Sequence, residues 1–176
     1  MNIVYFDVET KHLADEVGGW DYIERFGLAV AVTYSTQRGT FAHYTEQTVN
    51  GLIDDLLNAD LVVGFNILRF DYRVLRPYTQ HDLHRLPTLD ILVDLTHRLG
   101  HRVKLESCAR GTLGDAKSGD GTLAVQWFRQ GQLQRVIDYC KQDVDIVRRL
   151  HEHGRNHRHI LIADPFSGLI RVPVDW

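Results

Sequence analysis

Two acidic residues near the N-terminus carry the first chemical signal in this sequence. Asp7 and Glu9 stand one residue apart in "VYFDVET", at the end of an apolar run that covers residues 3–6. Side chains two apart on a strand point to the same face, so the two carboxylates would lie close together and repel each other. A bound cation would remove that repulsion. The pair therefore predicts a metal-binding role, and capping of the strand end is the structural alternative.

Two further acids follow in patterns that would bring them to the same edge of a sheet. Asp71 lies in "GFNILRFD", after a second apolar run, and Asp143 lies in "YCKQD", four residues after Tyr139. Residues at i and i+4 stack on one face of a helix. A ligand set of carboxylates favours Mg²⁺ or Mn²⁺ over Zn²⁺. Two such ions about 3.5–4 Å apart can activate a water and stabilise the leaving oxygen when a phosphodiester is cleaved.

The hydrophobic pattern predicts the elements that position these residues. Apolar, β-rich runs predict strands at 2–7, 26–34, 40–45 and 61–65. Helical spacing predicts helices at 49–60, 67–75, 91–99, 104–114, 122–131 and 132–153, with Asp90 as the N-cap of the third and Gly100 as its end. Two alternating runs around a Pro/Ser/Gly turn predict a β-hairpin over 159–176. This order predicts an α/β fold whose first three strands form an antiparallel meander.

Composition restricts the class of protein. The 176 residues are 44% hydrophobic, which suits one compact domain over 1–176. The sequence has neither the roughly 20 apolar residues of a membrane span nor a secretory signal pattern, so we expect a cytoplasmic protein without membrane association. Cys108 and Cys140 are expected to be buried, reduced thiols. The net charge of −3 gives no overall basic field, and the basic clusters at 97–104 and 148–159 are either phosphate-facing strips or solvated helix faces.

The three acidic motifs together resemble a known superfamily. "FDVET", "GFNILRFD" and "YCKQD" occur in the order of the three motifs of the DEDD superfamily of 3′–5′ exonucleases, which have the RNase H-like fold. The third motif is similar to the Tyr-x-x-x-Asp form of the DEDDy branch, whereas the other branch has a histidine where this chain has Asp138. The second motif looks like that of family B DNA polymerase proofreading domains. The chain also resembles small bacterial exonuclease domains that occur free or beside helicases.

The resemblance implies a fold, an activity and a set of roles. It implies an RNase H-like domain of three α/β/α layers that releases nucleoside 5′-monophosphates from the 3′ ends of single-stranded nucleic acid, DNA more than RNA. Asp7, Glu9 and Asp143 would hold the ion that binds the attacking water, while Asp7 and Asp71 would hold the ion near the leaving 3′-oxygen. Tyr139 would orient the water through its hydroxyl, since a phenol of pKa about 10 is a poor base. A helicase is the partner that the resemblance suggests.

Five further residues are candidates for contacts with the substrate. Thr10 would contact the terminal nucleotide or cap the strand, and Trp20 would stack on a base. Phe65 would stack on the substrate or pack in the core, Asn66 would contact the substrate or cap the following helix, and Lys117 would neutralise a phosphate or be a solvated surface lysine.

Two rival functions stay open at this point. An RNase H-like endonuclease or resolvase is disfavoured by the Tyr-x-x-x-Asp motif. A non-catalytic module that binds nucleic acid or a helicase is disfavoured because all four acids and Tyr139 are present.

Overall fold

A mixed β-sheet forms the centre of the molecule. The structure, a computed structural model, describes residues 1–115 and 121–176. In that part of the chain a five-stranded sheet has the order β3-β2-β1-β4-β5, with β1 Ile3–Thr10, β2 Leu28–Ser35, β3 Thr40–Tyr44, β4 Leu61–Gly64 and β5 Thr88–Asp90. β2 is antiparallel to both β1 and β3, and β4 is parallel to β1 and β5. The predicted antiparallel meander is therefore confirmed.

Strand β1 is buried on both faces because it lies in the middle of this sheet. Val4, Phe6 and Val8 point into one hydrophobic cluster, while Ile3 and Tyr5 point into another on the opposite face. This explains why the run is apolar throughout rather than alternating. Asp7 and Glu9 continue the register of Ile3 and Tyr5, so the sheet directs both acids to the second of these faces.

Helices cover both faces of the sheet and give three α/β/α layers. Their bounds are α1 Val49–Leu57, α2 Asp71–Leu75, α3 Ile91–Leu99, α4 Leu105–Leu113, α5 Gly121–Arg129 and α6 Leu133–His157. Buried residues of α1 and α2 join the cluster around Phe6, and those of α3 to α6 join the cluster around Tyr5. The predicted three-layer fold is confirmed. In the part of the chain that the structure describes, no helix is both long and apolar enough to cross a membrane.

The C-terminal segment forms the predicted hairpin and packs onto the helical layer. Strands β6 His159–Asp164 and β7 Gly168–Pro173 pair in an antiparallel manner. The Asp164 carboxylate closes the turn by accepting hydrogen bonds from the backbone N–H groups of Phe166 (2.9 Å) and Ser167 (2.7 Å). Gly111 of α4 lies against β6, where a Cβ would be 2.5 Å from a backbone oxygen. The hairpin is thus joined closely to the rest of the core.

Several elements differ from the sequence prediction, since β1 continues beyond residue 7 to Thr10 and α1 ends at Leu57 instead of residue 60. Strand β5 was not predicted, because three residues are too short for a periodic signal. The helix predicted over 67–75 begins only at Asp71, because Asn66 adopts a left-handed backbone (φ 71°) and residues 66–70 form a turn. Helix α6 continues beyond 153 to His157 and ends where Arg158 takes a left-handed backbone (φ 59°).

Candidate active site

The acidic pair of β1 lies at the carboxyl end of the central strand. Asp7 is half-buried and Glu9 is 7% exposed. The pairing of β1 with β2 shifts by one residue between Glu9 and Thr10, which marks a β-bulge. A bulge ends regular pairing and re-aims the neighbouring side chains. The extra residue is Ala29 of β2, and because side chains alternate along β1, Thr10 points to the face opposite Glu9.

Helix α6 supplies Tyr139 and Asp143 from the face that packs on the sheet. Both side chains are only 5% exposed, because Val136, Cys140 and Val144 on the same stripe enter the core. The Tyr139 ring meets the edge of Trp127 in α5, with the ring centroids 5.8 Å apart. Packing of α5 and α6 therefore fixes the direction of the phenol.

The loop after β4 supplies Asp71 and is held in one conformation by Asp90. The Asp90 carboxylate accepts hydrogen bonds from the backbone N–H groups of Asn66 (2.8 Å) and Leu68 (3.0 Å). It also caps α3, as predicted, by accepting from Leu92 (3.0 Å) and Val93 (3.3 Å). The second task of Asp90, which holds the loop in place, was missed by sequence reasoning because the partners are more than 20 residues away.

Gly64 at the end of β4 allows this loop to turn back sharply. A Cβ at Gly64 would lie 2.3 Å from Cγ2 of the fully buried Ile67. Side-chain atoms do not approach so closely, so any larger residue would move the loop. The glycine of "GFN" is therefore needed for the path that the chain takes to Asp71.

Asp71 is buried and is tied directly to β1. Its Oδ1 accepts a hydrogen bond from the backbone N–H of Val8 at 3.0 Å, and the residue is 2% exposed. Burial, followed by the neighbouring carboxylate of Asp7, raises the pKa of Asp71 well above its ordinary value. A divalent cation between these two groups would reverse this effect, since its charge favours the ionised form.

One cavity of about 320 Å³ brings most of the predicted site residues together. Its walls include all four acids and the tyrosine, namely Asp7, Glu9, Asp71, Tyr139 and Asp143. Three of the predicted substrate contacts, Trp20, Phe65 and Asn66, line it as well. The elements that meet here are the end of β1, the loop after β4 and helix α6, which are far apart in sequence.

The donor set of this cavity fits a hard divalent cation. Ligand atoms of Asp7, Glu9 and Cys140 lie within 4.8 Å of one another, and among the described residues no other three metal-ligating side chains are so close. The Cys140 thiol lies 3.3 Å from the backbone oxygen and 3.5 Å from Oδ2 of Asp7, and it donates to them. Burial, and then the carboxylates of Asp7 and Glu9, raise the pKa of this thiol. Without an ion the thiol is therefore a hydrogen-bond donor to Asp7, and the carboxylate oxygens around it are ligands that suit Mg²⁺ or Mn²⁺.

Cys140 was expected only to be a buried thiol, and both cysteines are indeed buried and free of disulfides. Its contact with Asp7 was not predicted. The available signal was its position directly after Tyr139, on the stripe of α6 that faces β1.

The predicted aromatic contacts differ in exposure. Trp20 is 64% exposed and rests on Phe26 and Phe70, with ring centroids 5.6 Å and 6.2 Å away. Phe65 is half-buried and packs against the cluster around Tyr5 while also lining the cavity. Trp20 therefore offers an open ring beside the carboxylates, whereas Phe65 offers one edge.

The predicted polar contacts are less uniform. Thr10 is buried, donates from Oγ1 to the backbone oxygen of His12 (3.1 Å) and lines a neighbouring cavity of about 230 Å³ instead of the carboxylate cavity. The Asn66 side chain does not cap α2, because its Oδ1 accepts a hydrogen bond from Arg102 at 2.8 Å. Lys117 lies outside the described residues.

The fold and the acidic site define an α/β protein with carboxylates at the carboxyl edge of a mixed sheet. A model of the RNase_H superfamily matches residues 4–154. The chain therefore belongs to the RNase H superfamily, and this membership indicates a nuclease-type hydrolase that binds nucleic acid. Nucleases of this superfamily generally use divalent metals. A comparison with curated proteins found no significant match.

Proposed function

We propose that this chain is a metal-dependent 3′–5′ exonuclease that releases nucleoside 5′-monophosphates from single-stranded nucleic acid. One observation carries the proposal: four carboxylates and Tyr139, from three separate segments, line a single cavity beside an exposed tryptophan. The pattern Tyr139-x-x-x-Asp143 on one helical face accords with the DEDDy motif. An RNase H-like endonuclease would have no evident use for a buried phenol at this position.

The four acids would bind two divalent ions. When bound, such ions neutralise the carboxylates, activate a water and stabilise the leaving oxygen. Asp7, Glu9 and Asp143 would form one ligand set, and Asp7 and Asp71 the other. The hydrogen bond from Val8 to Asp71 holds that carboxylate toward β1, so Asp7 could serve both sets.

Tyr139 would orient the attacking water through its hydroxyl. Its ring is fixed between α5 and α6 by the contact with Trp127, so the hydroxyl has little freedom to move. A hydroxyl held in this way lowers the entropic cost of aligning the water with the phosphorus. The acids would supply the electrostatic part of catalysis, and the phenol would supply the direction of attack.

The substrate would be a single strand, because the terminal nucleotide must leave a duplex to enter the cavity. Trp20 and Phe65 would contact its base and Asn66 its sugar and phosphate, whereas Thr10, whose side chain lines the neighbouring cavity, would contact the terminal nucleotide only through its backbone. DNA is favoured by the likeness of the second motif to polymerase proofreading domains. We further propose that residues 1–176 are a single domain, since Ile160 and Val172 of the hairpin share a core with β1.

The test uses 5′-labelled single-stranded DNA and RNA oligomers, incubated with Mg²⁺, Mn²⁺ or EDTA. We expect a ladder that shortens from the 3′ end in either metal, with faster cleavage of DNA, and no cleavage in EDTA. Asp7→Ala should abolish the ladder. Products of internal cleavage would instead indicate an endonuclease. Intact strands under all conditions would indicate a non-catalytic binding module.

A further inference from the structure

A second cavity adjoins the carboxylate cavity and is lined by arginines. It measures about 300 Å³, and its walls are Trp20, Ile23, Asn66, Arg69, Phe70 and Arg102. Trp20, Asn66 and Phe70 line both cavities, so the two share one wall. We call this second cavity, with its two arginines, the arginine groove. It opens next to the carboxylates but contains none of them.

The two guanidinium groups of the groove carry uncompensated charge. Within residues 1–115 and 121–176, Arg69 is exposed and makes no hydrogen bond or ion pair, and Arg102 is exposed and donates to the neutral Asn66 amide oxygen. Six arginines in the described ranges pair with acids, among them Arg38 with Asp55, Arg73 with Glu24 and Arg148 with Asp145, whereas several others, such as Arg76 and Arg155, have no carboxylate partner there. What distinguishes Arg69 and Arg102 is that both line one cavity, which shares a wall with the carboxylate cavity, so two cations are available there for an external anion.

The groove is aligned by the same loop that carries the candidate metal ligand Asp71. Arg69 stands two residues before Asp71 on that loop. Asn66 adopts a left-handed backbone, donates its N–H to Asp90 and accepts from Arg102. The strain at Asn66 is therefore held by two hydrogen bonds, and one of them orients the Arg102 head group. A residue kept in such a conformation at a cavity wall is typical of binding sites.

We infer that the arginine groove binds the phosphodiester backbone of the strand upstream of the nucleotide in the carboxylate cavity. Guanidinium groups bind phosphates through paired N–H donors, and their affinity for phosphate is greater where no carboxylate competes. Trp20, on the shared wall, stacks on a base between the two cavities. The inference rests on the proposed exonuclease function, because that function sets which end of the strand enters the carboxylate cavity.

Binding is measured by fluorescence anisotropy, with labelled single-stranded DNA in Ca²⁺ buffer and a phosphorothioate at the 3′-terminal linkage to prevent cleavage. Arg69→Ala and Arg102→Ala should each weaken binding and lower the slope of log K against log salt by about 0.7, the value for one phosphate contact on a single strand. Arg102→Lys should recover part of the slope. The matched control is Arg155→Ala, which should leave the slope unchanged. Arg155 is exposed and lies about 18 Å along α6 from Asp143.

A second substrate distinguishes an effect of the arginine groove from an effect of the carboxylate cavity. The p-nitrophenyl ester of thymidine 5′-monophosphate has one phosphate and no upstream strand. We expect both arginine variants to lose much less activity on this ester than on an oligonucleotide, for which their KM should rise.

Three results would contradict either the binding of the strand by the arginine groove or the proposed exonuclease function. Unchanged affinity and salt slope in both variants would refute the inference, whether or not the ester is hydrolysed. Equal losses on ester and oligonucleotide would refute the upstream assignment, because the arginines would then act inside the carboxylate cavity. A wild-type protein that leaves the ester and the oligonucleotide intact in Mg²⁺ and Mn²⁺ would contradict the proposed function, and the anisotropy result would still decide whether the groove binds the strand.

Discussion

The buried histidine beneath β1 should make the protein sensitive to acid. His151 is 2% exposed, and its Nδ1 lies 2.8 Å from the Tyr5 hydroxyl, two residues before Asp7. Burial, and then the positive charge of Arg155, lower the pKa of His151 to about 4. Its ordinary value is about 6.5, so the unfolded chain binds the proton more readily. The neutral His151 therefore makes its full contribution to the free energy of unfolding above about pH 6.5. This contribution is lost as the pH falls toward 4.

The size of the effect follows from the two pKa values. The pKa of His151 differs by about 2.5 between the unfolded and the folded chain. This difference lowers the free energy of unfolding by about 3.4 kcal/mol once the pH is well below both pKa values. At pH 5 the histidine is still neutral in the folded protein and charged in the unfolded chain, so about 2 kcal/mol should already be lost relative to pH 7.5. That is a large share of the stability of an ordinary domain.

The assay is urea unfolding of the wild type and of His151→Gln between pH 7.5 and pH 4.5. His151→Gln is expected to cost stability at pH 7.5 through the lost contact with Tyr5. Its free energy of unfolding should then fall less steeply with acid than that of the wild type. His81→Gln, at an exposed histidine, serves as the control and should follow the wild-type curve. A constant difference in the free energy of unfolding between wild type and His151→Gln at every pH would show that His151 does not cause the acid sensitivity.

Three further predictions concern the site itself. Asp71→Asn should keep or slightly raise the melting temperature in EDTA, because it relieves repulsion with Asp7. In Mn²⁺ the variant should lose most of the rise in melting temperature that the wild type shows. A fall of many degrees in EDTA would contradict this prediction. Tyr139→Phe should slow turnover and leave Mn²⁺ binding unchanged in calorimetry, and an unaltered rate would remove the hydroxyl from the mechanism. Gly64→Ala should cost about 1–3 kcal/mol in denaturant unfolding, because the new methyl meets Ile67, and the double variant with Ile67→Ala should show a smaller loss than the sum of the two single changes.

The sequence predicted those features of the fold that local patterns encode. Asp7 and Glu9 at the end of an apolar run located the edge of the central strand, and the i, i+4 spacing of Tyr139 and Asp143 placed them on one helical face. The meander and the hairpin were predicted by alternation and turn residues. These signals arise within a few residues, so a single sequence contains them in full.

The features that were missed depend on contacts between distant residues. Strand β5 is three residues long and exists because Val62 and Gly64 of β4 pair with it. The turn at Asn66 replaces the first part of a predicted helix because Asp90, 24 residues later, binds its N–H. The proximity of Cys140 to Asp7 arises from packing of α6 on β1. A local pattern does not determine any of these contacts, even where it shows which helical face a residue such as Cys140 occupies, because each contact depends on how two elements dock.

A pair of isosteric changes on α6 tests whether the buried acids carry out the cleavage. Asp143 is buried in the carboxylate cavity, whereas Asp138 is exposed on the same helix and accepts a hydrogen bond from Gln134. The measurement is the initial rate at which each variant releases the labelled 3′-terminal nucleotide of a single-stranded DNA in Mg²⁺. We expect Asp143→Asn to lower the rate by at least about 100-fold, since loss of even an outer partner of a metal ligand costs about 10- to 100-fold. Asp138→Asn should stay within about twofold of the wild type, as an exposed residue outside the cavity should. Equal rates for the two variants, or release of anything other than a nucleoside 5′-monophosphate, would contradict the proposed exonuclease function.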